Sequence, residues 1–148
     1  MSAIRSARLW FVCLGLAGVH DCGIALYHFV LPYHMSWRAG LGGVADSLVW
    51  ALFALNFSWA LLLFLTGCLV FYAAKLGPLA GSFARCTVFT VGVFWALHGA
   101  YTFVNPMPLP GSLWWLRYAL AAFPVVAVVL HWAPLLAYRR QVRESLRE

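Results

Sequence analysis

Four apolar stretches, each long enough to cross a bilayer as a helix, occupy most of this chain and leave little else to fold. Crossing about 30 Å of hydrocarbon takes roughly 20 helical residues. The runs at about 9–31, 48–74, 83–104 and 114–138 all reach that length. They are continuous rather than alternating, which selects helices over a barrel. Of the 148 residues, 64% are hydrophobic and 9% charged. A soluble domain carries about a quarter charged residues, so a water-soluble globule is excluded. Nothing between the runs is large enough to bury a core of its own. The expected unit is a single all-α transmembrane domain over 1–148, ending in a short basic tail at 139–148.

The ends of the runs carry their own chemistry. Pro32 and Pro106 are expected to stop the first and third spans, and Gly77-Pro78 to close the second. Ser47 (or Asp46), Ser82 and Ser112 stand where the later three helices need N-caps. The links are short, which makes sequential helices antiparallel neighbours and predicts an up-down-up-down bundle. Arg5 and Arg8 precede the first span as they would in a secretory leader. The apolar run continues to Leu31, however, so a retained helix is expected.

Orientation follows from the basic residues. Arg5, Arg8, Lys75, Arg85, Arg139, Arg140, Arg143 and Arg147 fall on one side, against Arg38 and Arg117 on the other. The positive-inside rule then puts both termini in the cytoplasm, in a membrane of the bacterial inner-membrane kind. Trp37, Trp50, Trp114, Trp115 and Tyr118 would form an outer aromatic belt, and Trp10, Tyr72, Trp132 and Tyr138 an inner one. The net charge of +6 sits at the chain ends and in one short loop, not on a folded basic face, which argues against nucleic acid as a partner.

Ionisable side chains within a span cost roughly 3 kcal/mol each on insertion scales, so each requires a reason. The first span holds His20, Asp21 and His28, with His20 and Asp21 near the midplane. Asp21 and His28 are seven residues apart, which places them on one helix face at heights about 10 Å apart. Asn56 of the second span and His98 of the third reach similar depths in the outer half, whereas His131 of the fourth lies in the inner half without an evident partner at its level. The expected site is an outward-biased polar pocket between the first three spans, lined by His20, Asp21, His28, Asn56 and His98, with Trp59 and Trp95 as walls. An isolated carboxylate at Asp21 must be paired or neutral. The plainer alternative is that each polar group only bonds a neighbouring helix.

Two kinds of ligand suit such a pocket. A bis-histidine b-type haem needs two neutral imidazoles at one depth on facing helices, a condition His28 and His98 meet. A quinone or similar lipid-soluble molecule could use the same groups. Gly92, Ala96 and Gly99 share one face of the third span, where small residues favour close helix packing over cofactor entry. Cys13, Cys22, Cys68 and Cys86 show no CxxC or Cys–His spacing and are expected to be free thiols, with no metal site. No GxSxG, HExxH, phosphate-cradling glycine loop or carboxylate pair is present, so no catalytic residue is assigned.

These features lead to three functional expectations. The first is a small integral membrane subunit, partnered by lipid and by other membrane subunits or further copies, with an intramembrane pocket for a planar or lipid-soluble ligand. The second is a minimal proton-coupled transporter working as an oligomer, because four helices are few for alternating access. The third is a purely structural or assembly subunit.

Overall fold

A computed structural model describes residues 3–77, 81–106 and 111–146, with side chains for all of these except 3–6 and 113. The described residues form helices and connecting turns, with no strand. Helix α1 spans Ala3–His34, α3 Asp46–Leu76, α4 Ser82–Val104 and α5 Trp114–Ser145. All four are long and apolar enough to cross a membrane. A one-turn helix, α2 (Trp37–Gly40), lies in the link after α1, and a 3₁₀ turn at Gly111–Leu113 leads into α5. The chain is thus an all-helical protein of the integral membrane kind.

Three boundary expectations are corrected. Helix α1 does not stop at Leu31 but runs through Pro32 to His34. A proline lacks the N–H that would bond the carbonyl four residues back, so passage through Pro32 frees the His28 oxygen and requires a donor from elsewhere. Helices α3 and α4 begin after Ala45 and Gly81, and neither has a side-chain cap bond, so Ser47 and Ser82 do not cap them. Ser112 lies inside the 3₁₀ turn instead of capping α5. Other expectations hold. Gly77 ends α3 with φ 75°, and α4 ends at Val104 before Asn105-Pro106. Helix α5 continues past Tyr138 to Ser145, carrying the basic tail as helix. Pro78 and Arg147 lie outside the described residues.

Helix α1 packs most extensively on α3 and also on α5, α4 packs on α5 and less extensively on α3, and the backbones of the diagonal pairs α1–α4 and α3–α5 hardly touch. Along α1 and α3 the contacts run in opposite order. Trp10 Nε1 donates to the Ala73 carbonyl at 3.0 Å, Cys22 approaches the Phe64 carbonyl, and His28 meets Asn56. Gly67 allows the close approach, since a Cβ there would lie 3.1 Å from the Cys22 backbone nitrogen. Helices α4 and α5 are likewise antiparallel, with Phe89 against Trp132 and Gly99 against Pro124. The expected small-residue seam of α4 is present. A Cβ on Gly92 would run into the Trp132 indole, and one on Gly99 would come within 3.3 Å of Pro124. Ala96 between them is half-buried.

Apolar side chains fill the core, including Trp10, Leu14, Ala17, Val70, Val88 and Trp95. The outward faces are also apolar, with Trp50, Leu55 and Phe57 of α3 well exposed. A helix that is apolar all round with one face unpacked is at home in lipid rather than water. Only two polar side chains are buried among the described residues, Asp21 and His131.

Candidate functional site

The two buried polar side chains meet. Asp21 of α1 and His131 of α5 are each 0% exposed, and His131 Nε2 stands 3.5 Å from Asp21 Oδ2. That is an ion-pair distance, longer than a good hydrogen bond. The other carboxylate oxygen is better served. Asp21 Oδ1 accepts from Trp95 Nε1 of α4 at 2.9 Å and lies 3.1 Å from His20 Nδ1. Thus α1, α4 and α5 each contribute to one cluster, and α3 brings Gly67 against the Asp21 Cβ.

Hydrogen-bond chemistry fixes how the cluster is protonated. His131 Nδ1 lies 2.7 Å from the Ala127 carbonyl, one turn back on α5. A carbonyl oxygen only accepts, so Nδ1 must carry hydrogen. His131 Nε2 therefore faces Asp21 Oδ2 either as a bare lone pair or as the second N–H of an imidazolium. Two bare acceptors at 3.5 Å in a low-dielectric interior would repel. One proton must reside between them, on the imidazole or on the carboxyl. Neither atom has a hydrogen-bond partner, and His20 Nε2 is a third buried atom without one. Three such atoms in one cluster are exceptional in a native interior, where the great majority of buried polar atoms are paired.

A second polar group lies farther along α1, towards the end of the bundle that carries α2. Asn56 of α3 grips His28 with both ends of its amide. Its Nδ2 donates to the His28 carbonyl at 2.6 Å, and its Oδ1 accepts from His28 Nδ1 at 3.0 Å. That carbonyl is the one stripped of its helical donor by Pro32. Asn56 thus supplies what the proline withholds, and α1 stays helical for that reason.

His98 of α4 sits among rings. Its centroid is 6.1 Å from Trp59, 6.2 Å from Phe94 in a stacked arrangement, and 5.7 Å from Trp95 edge-on. Trp95 also meets His20 edge-on at 5.0 Å. One indole therefore stands between His20 and His98 while bonding Asp21.

The expected pocket is redrawn by this geometry. Asp21 does not share a site with His28 and Asn56, although it is on the same helix. Its partners come from α4 and α5, and His131, which seemed unpartnered, is one of them. The fourth long helix is part of the site, which the reading from three spans omitted. Trp95, expected as a wall, is a hydrogen-bond donor to the carboxylate. His28 of α1 and His98 of α4 lie on helices that are diagonal in the bundle, each packed on α3 and α5, and rings of Trp59, Phe94 and Trp95 surround His98. Described grooves lie elsewhere, at the α2 corner, where Met35, Trp37, Gly40, Leu41 and Leu52 line about 280 Å³. The cysteines are unpaired, and no three-residue metal-binding group occurs among the described residues.

A signal for His131 was present in the sequence. Pro124, Ala127, His131 and Pro134 recur at helical spacing, and all four are buried on one face of α5. No protein-family model, curated protein or solved structure matches this chain.

Proposed function

We propose that this protein is a small subunit of the bacterial inner membrane that holds and exchanges a proton within the bilayer, as part of a larger membrane assembly. The observation that carries the reading is the Asp21–His131 contact. A carboxylate and an imidazole, both fully buried, face each other with a proton required between them and no other bond to hold it. Ionisable groups in a membrane interior that face one another rather than lipid are the parts from which proton relays are made. Trp95 and His20 hold Oδ1 in place, which turns Oδ2 to His131 and leaves Oδ1 in reach of the His20 ring. The bundle is read as up-down-up-down with both termini cytoplasmic, supported by the distribution of basic residues. Four helices leave little room for a self-contained transport path, which favours work within an oligomer or beside other subunits.

The test is infrared difference spectroscopy of the purified, folded protein during pH titration. A carboxyl or imidazole signal should appear, vanish in Asp21→Asn and move in His131→Gln. Titration with no signal dependent on Asp21 would overturn the reading.

A second reading, a planar or lipid-soluble ligand beside His98, has one observation in its favour. The His98 imidazole is half-buried between Trp59 and Phe94, an aromatic setting suited to stacking. For haem the decisive measurement is a reduced-minus-oxidised visible spectrum of the purified protein. A spectrum without haem bands removes that cofactor.

A further inference from the structure

The polar groups around Asp21 are distributed unevenly along the bundle. Towards the chain termini the core is apolar and closed. Trp10, Leu14, Ala17, Val70, Ala73, Ala84 and Val88 are each no more than 1% exposed, and no buried polar side chain lies among them. The indole nitrogen of Trp10, the polar atom among these side chains, is consumed by the Ala73 carbonyl. Towards the α2 end the picture reverses. His20, Asn56, His28 and His98 all lie on that side of Asp21 or at its level, and all are only partly buried. His20 and His98 flank the same Trp95 ring, and Asn56, which holds His28, stands three residues from Trp59, which lies beside His98, on the same helix.

We infer that the Asp21–His131 pair exchanges its proton with one side only, the face at the α2 end, through His20, His98 and His28. The inference rests on the proton-holding reading above and adds the direction of access and the residues that provide it. His20 is the first step. Its Nδ1 is turned to Asp21 Oδ1, while its Nε2 is buried without a partner, so the ring has one nitrogen on the carboxylate and one free to receive a proton. An imidazole that accepts at one nitrogen and releases from the other passes a proton with no net change of charge, and returns to its first tautomer by a ring flip or by the reverse transfer. The next imidazole on that side, His98, lies beyond the Trp95 edge, and His28 is fixed by Asn56 with its Nδ1 committed and its Nε2 left over. Transfer between rings that do not touch requires water to carry the proton between them. In each uptake the cluster gains one proton and one positive charge, and nothing is oxidised or reduced.

The groups facing the pair from each packed helix are few. From its own helix Asp21 meets His20, from α4 the uncharged Trp95, and from α5 His131. Helix α3 presents Gly67, which brings no charge, against Cys22 and the Asp21 Cβ. Among the described residues the acid at the terminal end of the bundle is Glu144, exposed on the tail of α5.

The test uses the full chain in sealed vesicles of one orientation, fixed by whether trypsin added outside removes the basic tail of α5. The Asp21-dependent infrared signal is followed after a pH step applied to one side. The signal should respond to a step at the α2 face and stay unchanged, over the same interval, after a step at the tail face. His98→Phe, which keeps an aromatic ring in place, should delay the response, and His28→Phe should delay it further, each judged on folded protein only. Equal response to both faces, or response to the tail face alone, overturns one-sided access while leaving the proton site intact. Unaltered kinetics in both histidine variants overturns the route. Loss of the signal under every condition refers instead to the proton-holding reading itself.

Discussion

Replacing Asn56 by leucine tests the account of how α1 survives its internal proline. Asn56→Leu removes two contacts at once, the 2.6 Å bond to the His28 carbonyl and the 3.0 Å bond to its ring. Helix-to-helix hydrogen bonds in membranes average about 0.6 kcal/mol and reach about 1.7. A carbonyl left without any donor adds a desolvation cost of about 1–3 kcal/mol. The carbonyl has no fallback, because residue 32 has no N–H to offer it. The expected loss is therefore about 1–3 kcal/mol, most of it from the orphaned carbonyl rather than from the imidazole. Pro32→Ala changes that arithmetic. An alanine at 32 can close the helical bond to the His28 oxygen, so Asn56→Leu in that background should lose only the ring contact, about 0.6 kcal/mol. The cycle is measured by reversible unfolding in mixed detergent micelles with rising dodecyl sulfate, followed by helical circular dichroism. The same loss in both backgrounds would refute the reasoning, since the proline would then have nothing to do with the role of Asn56.

Further outcomes are expected from other parts of the bundle. Gly92→Ala should cost about 1–3 kcal/mol by driving a methyl group into Trp132, as overpacking does. Gly99→Ala should cost less, because its new Cβ would stand 3.3 Å from Pro124 and needs only a small shift. Equal losses in detergent melts would contradict the seam geometry. A membrane-impermeant maleimide should label Gly42→Cys from outside the cell and leave Gly77→Cys unlabelled, and the reverse pattern would invert the proposed orientation. All four native cysteines should react with a thiol reagent in denaturant without reductant, as their unpaired state requires. A shortfall would mean that a disulfide forms in the mature protein.

The amino-acid sequence alone determined that the chain is helical and embedded in lipid. Span length and hydrophobicity are local properties, set by the bilayer and the pitch of a helix, so they can be read without knowing any neighbour. It also singled out Asp21, because a carboxylate inside an apolar run is costly wherever the helices pack. What it could not supply was the partner. Position along a sequence gives depth only as well as the helix ends are known, and it left His131 without an evident partner although that side chain meets Asp21. Depth, moreover, says nothing of which helix stands beside which. The packing of α1 against α5 brought His131 to Asp21, and that of α4 brought Trp95. Pro32 makes the same point from the other side. Locally it ends a helix, and the helix continues because a side chain on α3, 24 positions away in the chain, takes over the missing bond. A span is fixed by chemistry within one segment, whereas a buried polar group is satisfied only by atoms that folding brings from another.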